Sequence, residues 1–592
     1  MLALLQSLDQ HYGSVGSDFE AYPVGSVMQS DWDVHIWTRA CSAASALLSD
    51  KTLFIAPQWR SQILSLHRWF SALFAATSFR NADHVLRGLN LAKDKADLNT
   101  LRVDTQHLLK FALLYTAESE VPLDLDALWS VDKEIAASLT LVLISSRFLG
   151  SQSAHGKREL ILPWLSERLD QVEDIELLPQ GVLHDLYMHC SYADHAEKHD
   201  IKRPINRLIQ RKLDQLGLHS SVFSKSDLDD LIKVKKPTLF VVLEWFNKGH
   251  SIYRTHSRTI EAAREIFHVV GMGYESCVDD QTRKVFDEFI ELDKNLSVVD
   301  QLKEIKSTAK RIKAAILYMP SVGMFPLTMW LTNLRVAPLQ IMALGHPATT
   351  HSEVMDYVVV EEDYVGDPSC FSEKLLVLPS DGMPYRPSAM ASSVEFKANV
   401  EVKPSVVRIA VCATTMKLNP NFLSACQMIL QKSNQKIHFY FLIGQNQGLV
   451  RPNVEYVVRR FLGVDVTVYP HQNYEDYMRV ISDCDMFINP FPFGNTNGIV
   501  DTVAAGLVGV CKTGREVHEH IDQGMFERLK FPSWLITNSV DEYVDAVIRL
   551  ASDYELRTRL REECAGIDKV EVLFKGRPEI MSQLLHKKLT SI

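Results

Sequence analysis

The segment Phe487-Ile-Asn-Pro-Phe-Pro-Phe-Gly-Asn-Thr-Asn-Gly-Ile-Val-Asp501 holds the residues best suited to gripping a small anionic ligand. A strand-like apolar run ends at Pro490, a rigid Pro/Gly turn follows, and a helix is expected to open near Thr496–Gly498. The first amides of a helix lack intrahelical acceptors and carry partial positive charge, so such a start can receive a phosphate. Asn495, Thr496 and Asn497 add side-chain donors, and Gly498 lets a ligand approach the backbone. Asp501, about one turn further on, can accept hydrogen bonds from ribose hydroxyls. The plainer reading is an Asn/Thr helix cap with nothing bound. Three small polar residues, two glycines and a following acid favour the ligand.

A second loop, after the run Arg408–Cys412, projects Thr414, Thr415 and Lys417 from what should be a strand's carboxyl end. A lysine there can supply a point cation to developing phosphate charge; most single loop lysines are merely solvated. The stretch Leu243-Glu-Trp-Phe-Asn-Lys-Gly-His250-Ser-Ile-Tyr-Arg-Thr-His256-Ser sets two histidines, a Tyr and an Arg on one strand-to-helix loop. Leu344-Gly345-His346-Pro-Ala-Thr-Thr-His351 is another such loop.

Other patterns carry less. Gly506-Leu-Val-Gly-Val-Cys-Lys-Thr513 lacks the Gly that a phosphate-binding GK[ST] loop needs before its Lys and reads as a buried strand. His518 and His520 are two apart and fall on different helix faces. His184, His189, Cys190, His195 and His199 have no acids at ligand spacing, so no metal site is expected. The DxD triplets Asp31/Asp33, Asp124/Asp126 and Asp483/Asp485 read as structural.

The elements that must position these loops fall into three stretches. Residues 1–225 show i, i+3, i+4 apolar spacing, few glycines and no repeat signature, and predict an all-α domain. Residues 226–395 alternate strand-sized apolar runs with helices: Thr238–Leu243, a helix over Arg258–Phe267, His268–Val270, a helix around Leu302–Lys313, Ala314–Met319, Leu339–Leu344, Tyr357–Val360 and Lys374–Leu378. Residues from about Pro384 to Pro404 read as a linker, and 396–592 repeat the alternation before closing on helices. Alternation of this kind predicts α/β architecture: two doubly wound parallel sheets preceded by the all-α domain. Open sheets bind ligands at the strands' carboxyl ends, where the loops above lie.

Composition bounds the function. The 592 residues are 46% hydrophobic and 23% charged, ordinary globular values. Sixty-three basic against 73 acidic residues give −10, which argues against a general nucleic-acid partner. Nine scattered cysteines without a CxxC fit a reducing compartment, and the start Met1–Asp9 has no basic region typical of a secretory signal. The charge-free run Ala314–Leu334 is broken by Pro320, Gly323 and Pro326 and predicts strand, loop and helix instead of a membrane span. A cytoplasmic location is expected.

Taken together, the Gly-His-Pro-Ala-Thr-Thr-His-Ser loop with Met355-Asp-Tyr-Val, the Thr-Thr-Met-Lys-Leu-Asn-Pro loop and the Pro-Phe-Pro-Phe-Gly-Asn-Thr-Asn-Gly turn resemble the cytoplasmic bacterial N-glycosyltransferases that modify high-molecular-weight adhesins, over nearly the whole chain. The protein O-GlcNAc transferases are more distantly similar. The resemblance implies a GT-B fold and inverting, metal-independent transfer of glucose, or less well galactose, from the UDP-sugar to Asn in Asn-X-Ser/Thr, with no cofactor. It implies that Lys417 contacts the donor diphosphate with Thr414 beside it. Asn495, Thr496, Asn497 and Gly498 would form the phosphate-binding helix start, with Asp501 on the ribose and His471 near the uracil. It further implies that His256 is an active-site histidine, with His250, Gly345 and His346 nearby, and it points to His189 on the acceptor side. The residues leave open an O-GlcNAc-type transferase, an epimerase, or a non-catalytic adaptor for adhesin export.

Overall fold

The computed structural model describes residues 1–11, 13–14, 29–89, 104–345, 347–389 and 403–591. Up to Ile232 every regular element among the described residues is helical. Local chemistry sets the boundaries: Asp124 accepts from the Ala127 amide at 2.9 Å, Asp132 from Ile135 at 2.9 Å and Ser151 from Ala154 at 3.1 Å, each starting a helix. Helix Lys133–Ile144 is buried on every side from Ile135 onward, as its unbroken apolar sequence requires.

The first sheet contains β1 (Thr238–Val242), β2 (His268–Gly273), β3 (Glu288–Glu291), β4 (Ala314–Met319), β5 (Leu339–Ala343), β6 (Tyr357–Glu361) and β7 (Lys374–Leu378). Their order is β3-β2-β1-β4-β5-β6-β7 and every pairing is parallel. The doubly wound order explains why β1, β4 and β5 are buried along their whole length: helices cover both faces. The charge-free run resolves into β4, a loop and helix Pro326–Leu331, and no helix among the described residues is long and apolar enough to cross a membrane.

The second sheet contains β8 (Val407–Thr414), β9 (Ile437–Gly444), β10 (Val466–Tyr469), β11 (Met486–Ile488), β12 (Gly509–Lys512) and β13 (Ile536–Thr537), in the order β10-β9-β8-β11-β12-β13. β11 pairs parallel to both β8 and β12. The Gly506–Thr513 segment is indeed strand β12. Asp485 accepts from the amide and Nε of Arg408 at 2.8 and 3.3 Å, so this DxD acid pins a strand start. The chain's last helix, Glu579–Leu589, sends Met581, Leu585 and Leu589 into the core built on the first sheet.

Two elements differ from expectation. The helix after β1 runs Ser251–Ala263 and opens before Arg258, because His250 caps it. Edge strand β3 was not foreseen: with exposed Glu288 and Glu291 at its ends it offers no apolar run, which suits an edge. Most of the 384–404 stretch lies outside the described residues. The chain forms two compact units: Met1–Lys198 with Ala413–Gln427 and Phe441–Gln472, and His199–Cys412 with Met428–Tyr440 and Asn473–Ile592.

Candidate functional site

In the unit that contains Asn473–Ile592, the turn after β11 leads into helix Asn497–Ala504. Thr496 stands at its N-cap without a side-chain cap bond. The Ile499 and Val500 amides both turn back to the Thr496 carbonyl, at 3.0 and 3.2 Å, leaving Asn497 and Gly498 with no intrahelical acceptor. The Asn497 Oδ1 atom is buried with no partner. Asn495 is not a loose donor: its amide meets Asp522 Oδ1 at 2.6 Å, and its Nδ2 donates to the Cys412 carbonyl at 2.6 Å and to Asn489 Oδ1 at 3.2 Å. It ties the turn to the ends of β8 and β11. Gly494 is required there, since a Cβ would lie 2.4 Å from the Asp522 carboxyl. At Gly498 a Cβ would meet Asn495 Cγ at 3.3 Å, so glycine keeps this helix start low.

Asp501, one turn into that helix, is 6% exposed. Its Oδ1 accepts from Arg254 Nη2 and from the Tyr474 hydroxyl, both at 3.2 Å. Burial raises its pKa above the ordinary carboxylate range, against the opposing pull of Arg254. The sequence reading missed Arg254 and Tyr474 as site residues; Arg254 stands two positions before His256 in the quoted histidine segment.

That segment is helical from Ser251 onward. His250 is the N-cap of helix Ser251–Ala263, its Nδ1 accepting from the Ile252 amide at 3.3 Å. His256 lies in the second turn, 2% exposed, with Nδ1 2.5 Å from Thr255 Oγ1 and Nε2 buried without a partner. Burial lowers both rings to a pKa of about 4, so both are neutral at pH 7. Gly345 is fixed by packing: a Cβ would stand 2.4 Å from the Pro320 carbonyl. His346 lies outside the described residues.

In the other unit, Thr414 ends β8 with its Oγ1 buried and unpartnered. The Thr415 hydroxyl donates to the Arg147 carbonyl at 2.9 Å, and Lys417 closes the short helical turn Thr415–Lys417, half-buried. His471 is exposed, its amide bonded to the Asn446 carbonyl at 3.0 Å and its Nδ1 3.4 Å from the Gln445 amide. Asn446 donates to the Tyr469 carbonyl at 2.7 Å, which joins the ends of β9 and β10. His189 is buried in the helical region, 3.3 Å from the Ser145 carbonyl and depressed to a pKa of about 4 by burial.

His199, Glu516 and His518 come together in the interior with their ligand-type atoms within 4.8 Å of one another. Glu516 is the acid that the sequence, reading only neighbours, does not place beside His199. His199 Nε2 stands 2.7 Å from Glu516 Oε2, and Glu516 also takes part in the capping box that starts helix Val517–Arg528. Burial first, then the Lys202 ammonium, push His199 well below the ordinary histidine range. The neighbouring Lys202 ammonium opposes a further positive charge at this buried trio.

Two doubly wound sheets that follow a helical stretch in the chain define a GT-B type glycosyltransferase fold. An O-GlcNAc transferase mutant from Thermobaculum terrenum shares it at a TM-score of 0.56 and 14% identity, over 95% of this chain and 97% of that one. The family model for HMW1 domain 2 matches residues 126–213. Two relatives are 42% identical, over 602 and 600 aligned residues. They are the UDP-glucose:protein N-beta-glucosyltransferases of Actinobacillus pleuropneumoniae serotypes 5b and 7, each match covering 100% of this chain and 95% of the relative. The chain belongs to the UDP-glucose:protein N-β-glucosyltransferase family.

Proposed function

We propose that the protein is an inverting, metal-independent N-glycosyltransferase that moves glucose, or less well galactose, from the UDP-sugar to the side-chain amide of Asn in Asn-X-Ser/Thr segments of adhesin-like proteins. The observation that carries this reading is 42% identity, end to end, to relatives named for UDP-glucose and a protein acceptor. In this reading residues 396–592 hold the donor and 226–395 serve the acceptor side. His189, buried within the helical region, is the acceptor-side candidate.

Breaking the sugar–phosphate bond leaves negative charge on UDP. The helix-start amides of Asn497 and Gly498 suit one phosphate, Lys417 supplies the point cation, and Thr414 supplies a hydroxyl beside it. Asp501 takes the ribose and His471 lies against the uracil. Loss of one preorganised donor of this kind typically costs about 2.7–4 kcal/mol.

The acceptor amide is a poor nucleophile, and a base must take its proton as the new bond forms. His256 suits the role in one respect: its ring is neutral, and Nε2 carries no competing partner. A pKa of about 4 makes it a weak base, and a diphosphate brought nearby raises its basicity. The test is to mix the purified protein with UDP-glucose and an Asn-X-Thr peptide and read the peptide's mass. One added hexose on Asn supports the proposal. A HexNAc gained from UDP-GlcNAc on Ser/Thr, with no hexose on Asn, points to an O-GlcNAc-type enzyme; no gain from either donor points to an adaptor.

A further inference from the structure

Arg254 and Asp501 form an ion pair in which the guanidinium is 8% exposed and the carboxylate 6%. Keeping two charges from water is costly, and buried pairs of this kind are often no more stabilising than apolar residues of the same size. The geometry is one-sided: the Arg254 Nη2 and Tyr474 hydroxyl contacts both fall on Oδ1, and no described residue has a hydrogen bond to Oδ2. The guanidinium is not otherwise consumed, since its Nε is buried without an acceptor.

Three further groups face the carboxylate. Tyr474 and Tyr477 come from helix Tyr474–Ser482, and Cys412 comes from β8. Burial, with Asp501 adding to it, pushes all three above their ordinary ranges, so they are neutral at pH 7. Among the described residues the charged group facing Asp501 is therefore Arg254. A protonated Asp501 would present a donor where a ribose needs an acceptor.

We infer that Arg254 is a positioning residue: by holding one oxygen of Asp501 it keeps the carboxylate ionised and its other oxygen turned toward the ribose hydroxyls of the UDP-sugar. This rests on the reading of Asp501 as the ribose ligand. Helix Ser251–Ala263, which follows the first sheet's β1, thereby prepares a donor contact on a helix that follows the second sheet's β11.

The experiment is calorimetric titration of the full-length protein with UDP-glucose from about pH 5 to about pH 9. Wild type, Arg254→Met, Arg254→Lys and Asp501→Asn are compared, with thermal melts to verify folding. Arg254→Met is expected to move the acid limb of affinity upward by about one pH unit or more, while affinity near the alkaline end stays within about threefold of wild type. Arg254→Lys should restore most of the shift, and Asp501→Asn should weaken binding about tenfold and flatten the limb. Uniform weakening of Arg254→Met at every pH, with the limb unmoved, would overturn the inference. So would unchanged binding, or no rescue by lysine. If Arg254→Met does not fold, Arg254→Gln, which keeps a donor but not the charge, takes its place: an upward shift of the limb supports the role, and an unmoved limb rejects it. Wild-type binding by Asp501→Asn would instead sink the ribose reading, and this inference with it.

Discussion

Two helices that each follow a sheet strand begin in opposite ways. At Ser251–Ala263 the N-cap side chain of His250 satisfies an amide of the first turn, and the buried polar groups further along face inward. At Asn497–Ala504 nothing caps the start, although Asn495, Thr496 and Asn497 are the residue types that usually do so. Asn495 is instead spent on the Cys412 carbonyl and Asn489, and the first amides stay open. One start is closed for stability; the other forgoes a cap and keeps its partial positive charge available to an anion.

Removing Lys417, the cation that the proposed function assigns to the donor diphosphate, should do the most damage. Lys417→Ala is expected to lower transfer by about 10²–10³ with an unchanged melt; activity within about threefold of wild type would remove Lys417 from the mechanism. His256→Ala, on the closed helix, should lower kcat by about 10² or more and erase the fall in rate on the acid side, since a general base acts only when unprotonated. If that dependence persists and only KM moves, His256 binds donor and is not the base. Capping the open start on purpose is the sharpest check of the contrast. Thr496→Asp should leave the fold as stable or raise its stability by up to about 1 kcal/mol, yet weaken UDP-glucose binding about tenfold or more. Tighter donor binding by that variant would reject the anion reading.

Two smaller effects concern stability. His67, His189 and His256 are buried with pKa values of about 4, below an unfolded value of about 6.5. The unfolded chain therefore binds more protons between these values, and stability falls as pH drops through that window, by at most about 3.4 kcal/mol per ring. Denaturant midpoints measured at about pH 7 and about pH 4.5 should show the loss; equal midpoints would contradict the neutral buried rings. His250→Ala should be mildest. It removes a cap worth about 0.5–2 kcal/mol while transfer stays within about threefold, and a large kcat loss in a folded protein would give His250 a chemical role instead.

Much of the architecture could be read from the chain because strand-sized apolar runs such as Ala314–Met319 and Leu339–Ala343 are buried on both faces and leave a plain signal. Edge strand β3 left none, being charged at both ends. The open helix start was legible in Asn495–Gly498, since small polar residues and glycine advertise backbone access. The division of labour within it was not: Asn495 became a structural tie because its partners, Cys412 and Asn489, are set by strand packing and not by local sequence. Arg254 was noticed only as the Arg of the histidine segment, and its role was not legible there, since its partner Asp501 lies in a different part of the chain. His199 likewise found its carboxylate at Glu516.

The final helix has a consequence for how the protein is made. Met581, Leu585 and Leu589 are fully buried in the core that begins at β1, and each such side chain is worth about 1.5–3 kcal/mol. A ribosome delivers β1 long before it delivers Leu589, so the first sheet must wait, with an apolar face uncovered, until Glu579–Leu589 has been made. A nascent chain stalled anywhere before Glu579 would thus carry the β-sheet most in need of chaperone shelter, and a C-terminal truncation would damage the sheet that was synthesised first.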